Sequence, residues 1–342
     1  MFFENTECLR CGQALGFAPE QLAMVAFVEG GATRRCANQA SAVCNWLVDT
    51  ASDGQGQLCR SCELTRTRPS DGDLGALLAF ADAESAKRRV VFQLLGLGLP
   101  VTSWAERPGG LGYDLLSSNG TSVLTGHLDG IVTIDLAESD DPHREQIRQQ
   151  MGEPYRTMLG HLRHETGHYY WTVLVEQAGR VDEFRALFGD EQTDYGAALT
   201  RHYNEGPPAG WAARHVSAYA TMHPWEDWAE TFAHYLHIRD TLQTAGAFGI
   251  RIDVPDNPLS AEPAVQVDHE PFEAILADWL PLTYALNAVN RSMGRDDLYP
   301  FVLSHSVVEK LAWVHQTVAQ AVRCSRNQSR AAACPRAAPS SR

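Results

Sequence analysis

The chain has 342 residues, 44% of them hydrophobic, and a formal net charge of −14 at pH 7. This length allows one large domain with a small one beside it, and the negative charge argues against binding to nucleic acid or to anionic membranes. The first seven residues lack the basic and apolar regions of a secretory signal, and the longest apolar stretch, 90–101, is too short to span a bilayer. We therefore expect a cytoplasmic protein without a membrane partner.

Six of the eight cysteines lie within the first 62 residues. Two pairs have the spacing Cys-x-x-Cys, which in a chain without a secretory signal is typical of metal ligands rather than of disulfides. We predict that residues 1–70 form a small domain that needs zinc to fold, because so short a segment buries little apolar surface. The cysteines expected to form one closed structural zinc site are Cys36, Cys44, Cys59 and Cys62. Cys8 and Cys11 lack a second pair, although a zinc held by some other four of the six cysteines fits the sequence equally well.

The stretch after residue 70 shows helical periodicity and then strand periodicity. Apolar residues recur at helical spacing between 76 and 95, and the basic cluster 87–89 within this helix is interpreted as a solvated face. Three short strands are predicted at 112–116, 122–125 and 130–136, separated by Ser-Asn-Gly and Leu-Asp-Gly turns. They would form a small, mostly antiparallel sheet. Its exposed edge strand is predicted to be 131–136, which could hold a peptide by strand addition.

The pattern His-Glu-x-x-His follows at 164–168. On a helix, His164 and His168 share one face, so both imidazoles can bind one cation. Two neutral nitrogen ligands suit zinc, and a catalytic zinc needs a third protein ligand with a fourth position left to water. Glu165 lies beside this face and is the expected general base, which takes a proton from the zinc-activated water. His161 is an alternative third ligand, but three histidines at this spacing would crowd the open face.

The third ligand is expected from a second helix, which begins at Pro224. Glu226 and Glu230 lie one turn apart on this helix, and burying two carboxylates among aromatic residues is costly unless a cation or a histidine meets them. We assign Glu226 to the zinc. Glu230 would accept the outer ring N–H of a zinc histidine and so fix the tautomer of that ring. Asp227 or Glu230 could be the metal ligand instead.

Several long motifs run through both parts of the chain. In the first part they are Phe-Glu-Asn at 3–5, Cys-Leu-Arg-Cys-Gly at 8–12, Cys-Ala-Asn at 36–38, Cys-Asn-Trp-Leu-Val at 44–48 and Cys-Arg-Ser-Cys at 59–62. In the second part they are Gly-Glu-Pro-Tyr-Arg-Thr at 152–157, Gly-His-Leu-Arg-His-Glu-Thr-Gly-His-Tyr-Tyr-Trp at 160–171 and His-Pro-Trp-Glu-Asp-Trp-Ala-Glu-Thr-Phe-Ala-His-Tyr-Leu at 223–236. Together they resemble a bacterial family of zinc-binding metallopeptidases.

This resemblance implies an N-terminal zinc ribbon and a zincin-like peptidase domain of the gluzincin type. It also implies that His164, His168 and Glu226 bind zinc and that Glu165 is the base. The family carries a further Cys-x-x-Cys before the Phe-Glu-Asn stretch, whereas this chain starts at Met1. We therefore expect Cys8 and Cys11 to be an incomplete pair.

The predicted fold class is α+β. A zinc ribbon at 1–70 would precede a mainly helical zincin-like metallopeptidase domain at 71–322, which contains a small, mostly antiparallel sheet. Further helices are predicted at 182–188, 194–203, 270–290 and 304–322. Residues 323–342 are predicted to be a disordered tail. The expected cofactors are one catalytic and one structural Zn²⁺.

The predicted function is a zinc-dependent metallopeptidase that hydrolyses a peptide or protein substrate. Tyr219, His223 or His234 could stabilise the oxyanion. The alternative is a zinc-binding adaptor or peptide-binding protein without proteolysis, which recruits a protein partner through the ribbon. The presence of Glu165, which a mere zinc holder does not need, argues against this alternative. A ribbon that binds nucleic acid is disfavoured, because the first 70 residues lack a basic stripe.

Overall fold

The structure of the protein is a computed structural model, which describes residues 3–50, 57–118, 123–139, 157–253, 260–263 and 271–332. Helices predominate in these ranges and the sheets are small, which confirms the predicted α+β class. The helices are α1 (Leu74–Gly96), α2 (Met158–Trp171), α3 (Val181–Phe188), α4 (Tyr195–Glu205), α5 (Pro224–Phe248), α6 (Phe272–Ser292) and α7 (His305–Ala332). None of the helices within the described ranges is both long and apolar enough to cross a membrane.

Short strands flank and precede these helices. The strands of the N-terminal part are β1 (Leu15–Ala18), β2 (Ala23–Ala26), β3 (Thr33–Arg35) and β4 (Leu47–Asp49), which pair as two antiparallel hairpins. The strands of a four-stranded sheet are β5 (Thr65–Thr67), β6 (Gly112–Leu116), β7 (Gly126–Leu128) and β8 (Ile131–Asp135). A last antiparallel pair consists of β9 (Ile252–Asp253) and β10 (Ser260–Ala261).

The four-stranded sheet differs from the prediction in strand direction and order. Its order is β5-β6-β8-β7, with β5, β6 and β8 parallel and β7 antiparallel to β8. The sheet is therefore mostly parallel, and the edge next to β8 is β7 rather than 131–136. The strand predicted at 122–125 is instead β7, at 126–128. After β6 the chain forms β7 at the edge of the sheet. The predicted Asp-Gly turn then leads into β8, which lies between β7 and β6. Strand periodicity reports a half-buried face, but it does not report which strands are neighbours.

The turn between β7 and β8 is well suited to its sequence. Asp129 and Gly130 have φ angles of 50° and 87°, the left-handed conformation that Asp-Gly favours in two-residue hairpin loops. An added Cβ on Gly130 would lie 2.5 Å from the carbonyl oxygen of Gly110. This position therefore requires glycine for space as well as for conformation, and the turn places β7 beside β8.

Local sequence signals set the start of the two central helices. The Thr157 hydroxyl accepts a hydrogen bond from the Gly160 amide at 3.0 Å, so α2 begins at Met158. Nδ1 of His223 accepts a hydrogen bond from the Trp225 amide at 3.1 Å, and Pro224 occupies the first turn of α5. These caps place the His-Glu-x-x-His sequence in the middle of α2 and Glu226 in the first turn of α5.

Helices α2 and α5 pack closely against each other in the core. The indole Nε1–H of Trp228 donates to the carbonyl oxygen of Gly167 at 2.8 Å. A Cβ on Gly167 would lie 3.2 Å from Cα of Ala229, which is tighter than ordinary contact. Glycine between the two histidines therefore allows the backbones of the helices to approach each other. The close approach of the two helices brings His164 and His168 of α2 near Glu226 of α5.

The basic cluster 87–89 is not a solvated face, as the sequence had suggested. Lys87 and Glu84 are both fully buried and lie 2.5 Å apart (Nζ to Oε1). Arg88 is also buried and donates to the carbonyl oxygen of Ala42, in the N-terminal part of the chain, at 3.1 Å. Arg89 donates to Oδ2 of Asp240 in α5 at 2.8 Å. The prediction was wrong because these charges meet an acid on the same helix, an acid on α5 and a carbonyl group in the N-terminal part. Periodicity does not reveal such partners.

The C-terminal helix extends beyond the predicted boundary. α7 ends at Ala332, so residues 323–332 are helical rather than part of a disordered tail. The segment contains three Arg and two Ala, and no proline occurs before Pro335, so the sequence allows the helix to continue. Residues 333–342 lie outside the described ranges. The division of the chain into domains at 70 and 322 stays a prediction.

Candidate metal centres

Helices α2 and α5 bring together the three residues that the sequence predicted as ligands of a catalytic metal. One donor atom each from His164, His168 and Glu226 lies within 4.8 Å of the others, and all three residues are buried. Oε2 of Glu226 lies 2.9 Å from Nε2 of His164 and 3.5 Å from Nε2 of His168. Two ring nitrogens and one carboxylate oxygen therefore converge on a single point.

This donor set fits a zinc ion. Ligand atoms bound tetrahedrally to zinc at about 2.0–2.2 Å lie roughly 3.3–3.6 Å apart, close to the two distances measured here. Burial by itself would lower the pKa of His164. The contacts of this imidazole with Glu226 and Glu230 outweigh burial and raise its pKa well above the ordinary value. The pKa of Glu226 is lowered well below its ordinary value, against the effect of burial, by His168 and His164. Both shifts arise because a negative carboxylate and a positive imidazole stabilise each other at this distance.

Glu230 and a serine orient the first of these histidines. Oε1 of Glu230 lies 2.6 Å from Nδ1 of His164, and the Ser217 hydroxyl donates to Oε2 of the same carboxylate at 2.6 Å. Although burial favours the protonated acid, the hydrogen bond from His164 lowers the pKa of Glu230 to about 2. An ionised Glu230 accepts the Nδ1–H of His164 and leaves Nε2 of that ring to the metal. Ser217 was not found by sequence reasoning, because an isolated serine in a loop carries no recognisable signal.

The alternative ligands do not join this cluster. Oδ2 of Asp227 lies 2.5 Å from Nζ of Lys310 in α7. Nε2 of His161 lies 3.2 Å from Oε1 of Glu165 rather than beside the other histidines' donor atoms. Within the described residues, the three-donor group contains neither Asp227 nor His161.

Glu165, the predicted general base, is buried beside the donor cluster. Its Oε1 meets His161, while its Oε2 is buried without a hydrogen-bond partner in the described part of the chain. Burial raises the pKa of the Glu165 carboxyl. The hydrogen bond with His161 and the charges of His164 and His168 have a larger effect in the opposite direction, so the pKa is lowered overall. The group is thus an ionised carboxylate with one oxygen available to accept a proton.

Two of the three residues predicted to stabilise an oxyanion are engaged elsewhere. His223 uses Nδ1 to cap α5, and its Nε2 lies 3.0 Å from both the hydroxyl and the carbonyl oxygen of Thr193. Nδ1 of His234 lies 2.7 Å from the Tyr299 hydroxyl in the core. The role of His223 and His234 as oxyanion stabilisers stays a prediction, and these contacts do not support it.

Two tyrosines border the donor cluster instead. The ring of Tyr219 lies 6.0 Å from that of His164. The Tyr195 hydroxyl donates to Oε1 of Glu226 at 2.9 Å. Burial, with the charge of Glu226, raises the pKa of both tyrosines, so both remain O–H donors near neutral pH. Tyr195 was missed because it lies in α4, 31 residues before Glu226, with no motif around it.

The edge strand β7 forms another border of the cluster through His127, which sequence reasoning also missed. Its ring stacks at 6.4 Å on that of His168, and Trp225 lies 4.4 Å from His168 between ring centroids. Burial and the neighbouring His168 lower the pKa of His127 to about 4. Nδ1 of His127 and Nε1 of Trp225 are buried without hydrogen-bond partners among the described residues. This border of the cluster is therefore both aromatic and polar.

A second donor cluster lies in the N-terminal part of the chain. It consists of the four predicted cysteines, Cys36, Cys44, Cys59 and Cys62, all buried. The sulfur of Cys44 lies 3.7 Å from the sulfurs of both Cys59 and Cys62. Sulfurs at about 2.3 Å from a tetrahedral zinc are about 3.8 Å apart, so these spacings fit zinc and are far too long for disulfides.

The ionisation of these thiols also points to a cation. Hydrogen bonds from the Cys44, Cys59 and Cys62 thiols lower the pKa of Cys36 far below its usual range. Burial raises the pKa of Cys59 well above its usual range. The pKa shifts of the four thiols thus differ in direction, and a bound metal ion would allow all four to ligate it as thiolates.

Cys8 and Cys11 form a separate turn. The amides of Cys11 and Gly12 donate to the carbonyl oxygen of Cys8 at 3.2 and 2.8 Å, and Cys11 is exposed. Backbone N–H groups of Arg10 and Cys11 lower the pKa of Cys8. Neither cysteine belongs to a group of three or more metal-ligating side chains within the described ranges.

Comparisons with known proteins agree with these two centres. A family model described as "Putative zinc-binding metallo-peptidase" matches residues 76–317, and a zinc-ribbon domain model matches residues 1–73. An uncharacterized protein of Mycobacterium bovis is 50% identical over 318 residues, which cover 92% of this chain and 91% of the relative. Two uncharacterized proteins of Mycobacterium tuberculosis match with the same values. No solved structure matches the chain. The resemblance seen in the motifs is confirmed.

Proposed function

Because the chain belongs to this family of zinc-binding metallo-peptidases, we propose that it is a zinc-dependent peptidase with Glu165 as the general base. The observation that carries the proposal is the combination of a three-donor cluster with an ionised carboxylate beside it. His164, His168 and Glu226 would hold the catalytic zinc, and Cys36, Cys44, Cys59 and Cys62 would hold a structural one. A protein that only stored zinc would not need a buried base with a free oxygen at this place.

When bound, zinc supplies Lewis-acid activation of a water molecule and of the scissile carbonyl. The free oxygen of Glu165 then takes the proton of the attacking water and passes it to the leaving amine. The hydroxyl of Tyr219 supplies a donor for the negative charge that develops on the carbonyl oxygen, while the single O–H of Tyr195 is donated to Glu226. Glu230 and Ser217 keep His164 in the tautomer that exposes Nε2.

The same proposal includes how a peptide is held. Strand β7 is the sheet edge beside β8, and its His127 lies over His168. A peptide added along β7 would use its backbone groups for hydrogen bonds and would pass the donor cluster. An extended peptide or an unfolded protein segment is therefore the proposed substrate class.

We also propose a cytoplasmic location, since the four buried cysteines are unpaired thiols.

The proposal is tested by zinc counting together with a peptide-cleavage assay. Wild-type protein is expected to bind two zinc ions and to cleave members of a fluorescence-quenched peptide library. Glu226→Ala should lose the zinc of the catalytic centre, and Cys59→Ser should lose the zinc of the four-cysteine site. Glu165→Gln should keep both zinc ions and lose cleavage by roughly 10²-fold or more. Two bound zinc ions with no cleavage by the wild type, or cleavage retained in Glu165→Gln, would overturn the peptidase assignment.

A further inference from the structure

We propose that His161 is a positioning residue for the general base, holding one oxygen of Glu165 so that the other accepts the proton. This inference rests on the proposed peptidase function, and it assigns to His161 a role different from metal binding. The two residues are four apart on α2, so their side chains lie on the same face one turn apart.

The contact is specific to one oxygen of the carboxylate. Nε2 of His161 lies 3.2 Å from Oε1 of Glu165, while Oε2 has no hydrogen-bond partner within the described ranges. A buried carboxylate oxygen without a partner is costly, and such exceptions occur where a group is kept ready for chemistry. The arrangement divides the two oxygens into one that is anchored and one that is reactive.

The surroundings make this anchor effective. The side chains of His161 and Glu165 are only 14% and 8% exposed, so water competes little for the hydrogen bond. In the described chain His161 is the hydrogen-bond partner of Glu165, and no other is present. A glutamate has three rotatable bonds, and without the anchor its carboxylate would sample positions from which the attacking water is out of reach.

A matched control exists elsewhere in the same chain. Nε2 of His305 lies 3.3 Å from Oε1 of Glu309, again at a spacing of four residues on a helix, but both side chains are mostly exposed. This pair has the same chemistry and spacing at a place far in sequence from the donor cluster. Replacement of His305 therefore shows how the loss of a helical His–Glu pair affects kcat when the pair is not beside the donor cluster.

The test compares His161→Leu, His161→Gln and His305→Leu as full-length, zinc-loaded proteins. Gln can present an N–H near the position of the imidazole Nε2, whereas Leu cannot. His161→Leu is expected to lower kcat by roughly 10–100-fold, the usual effect of losing an orienting partner, with KM changed less than about twofold. His161→Gln should recover most of this loss, and His305→Leu should match the wild type. Zinc content should be unchanged in all three variants.

Crystal structures of the zinc-loaded variants give a readout that does not need activity. The Glu165 carboxylate is expected to keep its position in His161→Gln and to rotate away or become disordered in His161→Leu. An unmoved Glu165 in His161→Leu, or equal kcat in the Leu and Gln variants, would overturn the positioning role. If the wild type cleaves no peptide at all, the peptidase proposal fails, and the crystal structures still decide whether His161 anchors Glu165.

Discussion

Glu230 lies 2.6 Å from Nδ1 of His164, the ring nitrogen on the side away from the one that meets Glu226. One imidazole is thus held between two carboxylates from successive turns of the same helix. The inner carboxylate belongs to the donor cluster, and the outer one sets the tautomer of the ring. The hydrogen bond with His164 keeps the outer carboxylate ionised, with a smaller contribution from the Ser217 hydroxyl that also donates to it.

Replacement of Glu230 by Gln should weaken zinc binding at the donor cluster by roughly 10–100-fold, as loss of an orienting carboxylate usually does. The neutral amide no longer favours Nδ1–H of His164, so Nε2 is less available to the metal. Competition with a fluorescent zinc chelator measures the change, and Glu273→Gln, at an exposed position of α6, is the control. Equal zinc affinity in Glu230→Gln and wild type would contradict the orienting role.

Replacement of Gly167 by Ala should both destabilise the protein and weaken zinc binding. The new Cβ would lie 3.2 Å from Cα of Ala229, so α2 and α5 must separate. Overpacking of this kind costs about 1–3 kcal/mol of unfolding free energy, and the separation moves His164 and His168 away from Glu226. Urea unfolding and chelator competition measure the two effects.

The matched control for this change is Gly75→Ala. Gly75 is exposed in the first turn of α1, and a Cβ there meets nothing closer than 3.8 Å. Alanine at this site should leave stability unchanged or raise it by up to about 1 kcal/mol, because alanine is the better helix former. A similar loss of stability in both variants would show that close packing at Gly167 is not the cause.

Replacement of Lys87 by Met should destabilise the protein by about 3–5 kcal/mol, because it leaves Glu84 buried without its cation. Both side chains are fully buried, 2.5 Å apart, so water cannot compensate for the loss. The double variant Lys87→Met with Glu84→Gln should recover part of this loss. Arg291→Met breaks the largely exposed pair with Asp297 and should change stability by less than about 1 kcal/mol. If Lys87→Met and Arg291→Met lowered the urea midpoint equally, the burial of the Lys87–Glu84 pair would not be the cause of the loss of stability.

His234 should make the folded protein sensitive to acid. Burial lowers its pKa from 6.5 to about 4. Between these values the unfolded chain binds the proton and the folded chain does not, so stability falls as pH drops from about 6.5 towards 4. His234 should therefore make the free energy of unfolding about 2 kcal/mol smaller at pH 5 than at pH 8.

The measurement is the difference between wild type and His234→Gln in urea unfolding at pH 5 and at pH 8. Gln retains a polar partner for the Tyr299 hydroxyl but does not titrate. The wild type should lose more stability than the variant on acidification, while the pH dependence of zinc binding is common to both and cancels. Identical losses would show that His234 is not buried in its neutral form.

Much of the helical architecture was predictable, because apolar residues at a period of 3.6 mark the buried faces of helices. The predicted helix at 182–188 is α3 at Val181–Phe188, and the one at 270–290 is α6 at Phe272–Ser292. The Asp-Gly turn before β8 was also predictable from its two residues alone. The strand order was not, since β8 has the same alternating pattern whether its neighbour is β6 or solvent.

By itself, the sequence determined the chemistry of the two donor sets. Spacing along a helix places His164 and His168 on one face, and the acids at 226 and 230 follow the same rule on their own helix. Only the tertiary structure decided which acid meets the histidines, because the choice depends on how α2 and α5 approach each other at Gly167. The folded chain likewise brought Tyr195, Ser217 and His127 to the centre, and paired the basic cluster 87–89 with acids and backbone carbonyl groups. Local periodicity follows from backbone geometry, whereas contacts between distant segments follow from packing that no short stretch encodes.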